Sequence, residues 1–171
     1  MTKFGAQTDT SQNLVYEATL EALDDADFKI EDIDAIVVSA IDTESNGERQ
    51  RLFSSILSSI LKKKIPILTS TAVCGGGGVA LWAANNLDYH NILVVGVERL
   101  LTNNSMVVTD DIMMAAERIY EQAEGLNFPA QNALVAQQYM LKYGATTDDF
   151  ALVAYKNHQN AFINPKARFY K

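Results

Sequence analysis

Residues 65–85 of the chain read IPILTSTAVCGGGGVALWAAN, from Ile65 to Asn85. A short run rich in β-branched residues ends at Cys74, the only cysteine, and four glycines and an apolar helical segment follow it. A cysteine at a strand-to-helix turn lies at the positive end of the helix dipole, beside N–H groups without a partner in the helix. This setting favours a nucleophilic thiolate, and glycines allow a bulky acyl group to approach the backbone. A buried, inert cysteine beside a glycine-rich turn is the alternative interpretation.

Length and composition indicate an ordinary globular domain. The chain has 171 residues, of which 48% are hydrophobic and 20% charged, with a net charge of −7. This negative charge argues against broad binding to nucleic acid or to anionic membranes. A single cysteine excludes an internal disulfide and fits a reducing compartment. With neither a signal peptide nor an apolar stretch long enough to span a bilayer, we expect a cytoplasmic protein.

The first hundred residues alternate between helix-like and strand-like segments. Strands are predicted at 35–40, 65–73 and 92–97, and helices at 11–26, 52–61 and 79–87. Ser11 is the predicted N-cap of the first helix. Short, β-branched, almost wholly apolar strands that alternate with helices are typical of a parallel α/β sheet.

The remaining residues have a different character. Residues 101–125 are polar and rich in methionine, and we predict a loop with a helix over 110–122. Phe128-Pro129 begins a further helix that ends at Gly144, and Thr146 with Asp149 forms a capping box for the next one. We therefore divide the chain into an α/β part, residues 1–100, and a helical loop subdomain, residues 101–171.

Two groups of motifs lie along the chain. The first contains Ile65-Pro66, Cys74-Gly75-Gly76-Gly77, Ala80-Leu81 and Val94-Val95-Gly96-Val97-Glu98. The second contains Tyr139-Met140, Lys142-Tyr143-Gly144-Ala145-Thr146, Lys156-Asn157-His158-Gln159-Asn160-Ala161 and Asn164-Pro165-Lys166-Ala167. The first group resembles the nucleophile segment of the thiolase superfamily and the strand that follows it. The second group is similar to sterol-carrier-protein-x-type thiolases and archaeal acetyl-CoA acetyltransferases, and Met1–Gly5 resembles the end of their first strand.

The resemblance implies a fold and a reaction. The fold is a thiolase-like half, layered α-β-α with a mostly parallel sheet, in which the first strand before Met1 and the C-terminal half are missing. The reaction is acyl transfer from coenzyme A, in which Cys74 takes an acetyl group as a thioester and a second acetyl-CoA attacks it to give acetoacetyl-CoA. Gly75, Gly76 and Gly77 are the candidate substrate-binding residues. No metal and no cofactor are expected, since the coenzyme A thioester is the substrate.

The resemblance also implies partners. The catalytic histidine, the second cysteine and a glycine-rich oxyanion segment belong to the other thiolase half, so we expect a second polypeptide and an oligomer. Such a half-domain should expose a large apolar face. In archaeal relatives this step feeds mevalonate synthesis, together with a hydroxymethylglutaryl-CoA synthase and a small OB-fold bridging protein.

Two alternative functions stay open. One is a condensing enzyme of the hydroxymethylglutaryl-CoA synthase type, which needs a carboxylate base upstream of the nucleophile, with Glu44 as the candidate. The other is a non-catalytic scaffold or acyl-CoA-binding subunit, favoured because Gly76 stands where the family usually has a serine. The two histidines do not replace the missing half, since we predict a solvated turn position for His90 and a structural or hydrogen-bonded role for His158.

Overall fold

The computed structural model describes residues 1–6, 8–41, 48–102 and 105–171. The chain forms two compact units. The first consists of Met1–Thr2 and Ala6–Asn103, and the second of Lys3–Gly5 and Asn104–Lys171. The first unit combines helices with a sheet, whereas the described elements of the second unit are helical.

The first unit has the predicted alternation of strands and helices. Its elements are α1 (Ser11–Asp25), β1 (Ala35–Ser39), α2 (Phe53–Ile60), β2 (Ile67–Thr69), α3 (Gly76–Asn85) and β3 (Ile92–Gly96). Two boundaries differ from the prediction. The strand β2 is shorter than residues 65–73, because the chain bends after Thr69 into a 3₁₀ turn at Val73–Gly75. The helix α3 begins at Gly76 rather than at Val79, so three glycines are helical.

The sheet of the first unit is parallel, with the strand order β2-β1-β3. The central strand β1 is buried along its whole length, as expected for a parallel strand covered on both faces. The register pairs Val38 with Thr69 on one side and Ser39 with Gly96 on the other. The carboxyl ends of all three strands therefore lie at one edge of the sheet, the edge where open α/β sheets bind ligands.

Helices cover both faces of this sheet. Ile36 and Val38 of β1 point into a core cluster that also contains residues of α1 and α2, among them Leu14 and Leu57. Ser39 points to the opposite face, where it meets Gly76 of α3. Ala80 of α3 is fully buried. This arrangement confirms the predicted α/β class and its α-β-α layers.

A half-buried carboxylate ties the start of α1 to the segment after β3. Glu48 Oε1 accepts hydrogen bonds from the Ser11 N–H at 2.6 Å and from Arg99 Nη1 at 2.8 Å. Ser11 is therefore not the N-cap as predicted, because the Oγ1 of Thr10 accepts the N–H of Asn13 instead. Partial burial alone would raise the pKa of Glu48, but the hydrogen bonds from Ser11 and the positive charge of Arg99 outweigh it and hold the pKa below the usual glutamate value.

Glu48→Gln should destabilise the first unit by about 1–3 kcal/mol at neutral pH, because the amide cannot replace a carboxylate that is bonded to a cation. The depressed pKa of Glu48 means that its stabilisation is fully present above the usual glutamate range and is lost as the pH falls through the folded-state value. Urea unfolding of both proteins over a pH series should show their difference vanish on acidification. Glu17→Gln, on the exposed face of α1, is the control and should show no such difference.

The second unit contains α4 (Ser105–Met113), a π-helical turn (Arg118–Gln122), α5 (Phe128–Tyr143) and α6 (Thr147–Phe162). The predicted helix over 110–122 is wrong, because the Glu117 carboxylate accepts the N–H groups of Ile119 and Tyr120 and so starts a new turn. The left-handed Gly144 after α5 and the capping box before α6 are confirmed. Among the described helices, none combines the length and the apolar character that crossing a membrane requires.

Candidate functional site

Cys74 lies in the turn between β2 and α3 and is exposed. The alternative of a buried cysteine is therefore wrong. The Gly75 N–H closes this turn by donating to the Ala72 carbonyl at 2.8 Å. Val73 has a φ of 45°, which a β-branched residue rarely adopts. The backbone before Cys74 is thus held in a strained conformation, a feature that clusters at functional sites.

The N-terminus of α3 follows Cys74 directly. Its N-cap residue is Gly75, so no side chain caps the first N–H groups of the helix. Those N–H groups carry a partial positive charge, which stabilises an adjacent anion. Gly75 and Gly77 are exposed at this point. The surface beside the Cys74 thiol is therefore made of open backbone, and it suits a negative charge that develops on a reacting group.

The glycines of this segment have different surroundings. A Cβ on Gly76 would overlap Ser39 Oγ and lie 3.6 Å from Ser39 Cβ, whereas a Cβ on Gly77 or Gly78 would meet no atom within 4 Å. Gly76 is itself buried. Of the three predicted substrate-binding glycines, Gly75 and Gly77 are thus exposed beside Cys74, while Gly76 packs against the end of β1. Whether any of them contacts a substrate stays a prediction.

Ser39 is the residue of this site that the sequence motifs did not single out. It ends β1 and its residue surface is only 6% exposed. The one available signal was a hydroxyl at the end of a strand that is otherwise apolar, Ala35-Ile36-Val37-Val38. Because the serine and the glycine lie far apart in the sequence, only the folded sheet brings them together.

Gly78→Ala should stabilise the first unit by about 1 kcal/mol, because alanine is the better helix former and open space surrounds this position. Gly76→Ala should instead destabilise it by about 1–3 kcal/mol, since the added methyl group is forced against Ser39. Urea unfolding followed by circular dichroism measures both changes. Equal effects of the two substitutions would show that the Ser39 contact is unimportant for stability.

Glu98, the acidic residue of the Gly-x-Glu motif, connects two strand ends. It follows β3, and its carboxylate accepts the backbone N–H of Ile41, which lies after β1. This bond ties together the segments that leave β1 and β3 at the edge near α3. The described contacts of Glu98 thus support a structural role in shaping the site.

The remaining candidate residues are Glu44 and the two histidines. Glu44 is outside the described residues. His90 is exposed in the turn before β3, whereas His158 is exposed on α6, where Nδ1 lies 2.9 Å from the Ala154 carbonyl and the ring stacks on Phe169. Across residues 1–6, 8–41, 48–102 and 105–171, no three His, Cys, Asp or Glu side chains are grouped to hold a metal ion.

Surface cavities among the described residues include one beside α2 and one on α4. The larger, of about 440 Å³, lies beside α2 and β2 and includes Ser54, Ser58 and Lys64. The smaller, of about 280 Å³, is on α4 and includes Met106 and Asp110. Cys74 lines neither of them.

Comparison with known proteins shows the family of the chain. The family "Thiolase, N-terminal domain" matches residues 1–171. The chain is 32% identical over 173 residues to the acetyl-CoA acetyltransferase of Methanothermobacter thermautotrophicus, covering 98% of the chain and 45% of that enzyme. It is 25% identical over 185 residues to sterol carrier protein 2 of Bos taurus, covering 100% of the chain and 33% of that protein.

A solved structure is also similar. The Ltp2-ChsH2(DUF35) aldolase aligns with a TM-score of 0.63 and 26% identity, covering 96% of this chain and 42% of the aldolase chain. The chain spans less than half the length of the relatives it matches. The match to the family covers every segment described above, including the exposed Cys74 and the glycines behind it. The chain therefore belongs to the thiolase N-terminal domain family.

Proposed function

We propose that this chain is the nucleophile-bearing half of an acetyl-CoA C-acetyltransferase, in which Cys74 carries the acyl group as a thioester. The observation that supports it most directly is the exposed thiol in a strained turn at the N-terminus of α3, within a chain that matches the family from end to end. A nucleophilic cysteine beside the backbone N–H groups of a helix start is an arrangement that suits acyl transfer through a thioester.

In the proposed reaction, the Cys74 thiolate attacks the carbonyl carbon of acetyl-CoA. The carbon–sulfur bond to coenzyme A breaks, and coenzyme A leaves as a thiolate that takes up a proton. A base then removes an α-proton from a second acetyl-CoA, and the resulting carbanion attacks the thioester carbon. Acetoacetyl-CoA forms and the Cys74 thiolate is released. Backbone N–H groups near Cys74 would stabilise the oxyanion at both additions.

The base and the second oxyanion site belong to the part of the assembly that completes this half. The chain covers 45% of the archaeal acetyltransferase and 42% of the aldolase chain, whose name joins Ltp2 to ChsH2(DUF35). Apolar side chains of α3 are exposed close to Cys74 in sequence, including Trp82 at 68%. A second polypeptide that carries the remaining thiolase half would cover such a surface and supply the missing groups.

The wider assembly belongs to the same proposal. It is a cytoplasmic oligomer that provides acetoacetyl-CoA for mevalonate synthesis. An OB-fold bridging protein would connect it to a hydroxymethylglutaryl-CoA synthase. The aldolase structure supports the general idea of a thiolase-like chain that works with a partner.

The test is purification of the tagged chain from its native cells, followed by mass spectrometry and by incubation with radiolabelled acetyl-CoA. We expect recovery of a protein with the other thiolase half, radiolabel on this chain and formation of acetoacetyl-CoA. If acetoacetyl-CoA is instead consumed as an acceptor, the enzyme is of the synthase type. Recovery of the chain without such a partner would contradict the proposal of a split enzyme.

A non-catalytic subunit is the second candidate, and one observation favours it. Gly76, which stands where the family usually has a serine, packs against Ser39 and offers no side chain beside Cys74. A scaffold or acyl-CoA-binding subunit would bind the acyl-CoA without forming a thioester. Acyl-CoA binding by the native assembly without transfer of label to Cys74 would support this function.

A further inference from the structure

We infer that Ser39 is a positioning residue for the nucleophile: its contact with Gly76 sets the place of the turn that carries Cys74. This inference rests on the proposed role of Cys74 in acyl transfer. It concerns a residue that lies in another strand and in none of the motifs around the cysteine. The buried side chain of Ser39 packs directly against the helical Gly76.

Ser39 and Gly76 lie in close contact. Ser39 Oγ occupies the space in which a Cβ of residue 76 would stand. Both residues are buried, and Ser39 is fixed by its place in β1, where it pairs with Gly96 of β3. The first turn of α3 can therefore lie against the end of β1 only because residue 76 has no side chain.

A short turn connects this contact to Cys74. Gly76 is two residues after the cysteine, and its N–H donates to the Val73 carbonyl within the same turn. A displacement of Gly76 is thus transmitted through one short hydrogen-bonded turn to the thiol. Misplacement of a reacting group by about 1 Å can slow a reaction by about a hundredfold.

Gly78 differs from Gly76 in the space around it. Gly78 is also helical, but a Cβ there would meet no atom within 4 Å. An alanine at position 78 adds the same methyl group to the same helix without touching β1. Gly78→Ala is therefore the matched control for Gly76→Ala.

The experiment uses the fact that Cys74 is the only cysteine of the chain. In the native assembly, the rate of Cys74 alkylation by iodoacetamide is measured for the wild type, Gly76→Ala, Ser39→Ala, the double variant and Gly78→Ala. The alkylation rate of a cysteine depends on how readily the reagent reaches its sulfur, so it reports a displacement of the turn that carries Cys74. Mass spectrometry of the peptide that contains Cys74 identifies the modification on this chain.

We expect Gly76→Ala to slow alkylation by about tenfold, because displacement of the turn changes how readily the reagent reaches the thiol. The double variant, Ser39→Ala with Gly76→Ala, should be alkylated at a rate within about twofold of that of Ser39→Ala alone. Removal of the hydroxyl restores the space for the methyl group. Gly78→Ala should match the wild type. Circular dichroism confirms that each variant is folded, so a general loss of structure cannot produce this pattern of rescue.

Two results would overturn the inference. One is a rate for Gly76→Ala equal to that of Gly78→Ala, which would mean that the Ser39 hydroxyl simply rotates away. The other is a double variant as slow as Gly76→Ala alone. Acetyl transfer is then measured on the same proteins. Absence of transfer in the wild type would reject the proposed function, while the alkylation rates would still decide the role of Ser39.

Discussion

Replacing Cys74 with alanine should abolish acyl-enzyme formation and acetyl transfer in the native assembly. Alanine has no nucleophilic atom, so the thioester cannot form and the carbanion of the second acetyl-CoA has no acceptor. Loss of a catalytic nucleophile lowers the rate by roughly 10⁴-fold or more in enzymes that work through a covalent intermediate. Transfer of radiolabel from acetyl-CoA to the chain and production of acetoacetyl-CoA are the two measurements.

Two further variants separate chemistry from structure. Cys74→Ser keeps the size of the side chain but offers a poorly activated hydroxyl, and it should lose the label as well. Ser70→Ala removes a hydroxyl from the loop before the same turn and should keep both the label and the product. Because Cys74 is exposed, neither Cys74 variant should alter the urea midpoint. Full acetyl transfer by Cys74→Ala would reject Cys74 as the nucleophile.

Leu57→Ala should destabilise the first unit by about 2–5 kcal/mol, the range found when a buried leucine is truncated in a packed core. Leu57 lies on α2 with 0% of its surface exposed, and it packs in the cluster that joins α1, α2 and the sheet. The truncation leaves a cavity between α2 and β1 that neighbouring side chains fill only in part. Urea unfolding followed by circular dichroism measures the loss.

Leu52→Ala is the matched control, since it removes the same atoms next to the same helix. Leu52 precedes α2 and is 64% exposed, so its truncation should change the free energy of unfolding by less than about 0.5 kcal/mol. If both variants lost a similar amount of unfolding free energy, the core would not lie between α2 and the sheet as described.

The sheet could be predicted well where burial is complete. The run Ala35-Ile36-Val37-Val38-Ser39 is short, β-branched and almost wholly apolar, and it forms the central strand with nearly the predicted bounds. The edge strand β2 is harder to predict, because it pairs on one side only and just three residue pairs define it. Its predicted extension into residues 70–73 failed where the chain bends into the turn before Cys74.

The helices show where local preference is overruled. Glycine is a weak helix former, so the sequence favoured a start of α3 at Val79, after the glycines. The contact between Gly76 and Ser39 explains why the helix nevertheless begins three residues earlier. In the second unit, the Glu117 carboxylate accepts two backbone N–H groups and so starts a new turn. The hydrophobic periodicity of the sequence does not predict such a side-chain effect.

The candidate site was predictable in part. Cys74 followed from its place between a strand and a glycine-rich helix start, since both the dipole and the open backbone are local properties. Ser39 could not be found in the same way, because its importance depends on the parallel register that brings the end of β1 under α3. Local motifs thus identify the reactive cysteine, whereas the folded sheet determines which buried residue packs beneath its turn.

The close contact between Ser39 and Gly76 also restricts the order in which substitutions can accumulate during divergence of this chain. A serine at position 76, the residue that the family usually has there, would have to enter the space that Ser39 Oγ now fills. A lineage that gains a side chain at position 76 must therefore first lose the hydroxyl at position 39, or pass through an impaired intermediate. The two positions should behave as an epistatic pair. Whether a substitution at one position is harmful or neutral should depend on which residue already stands at the other.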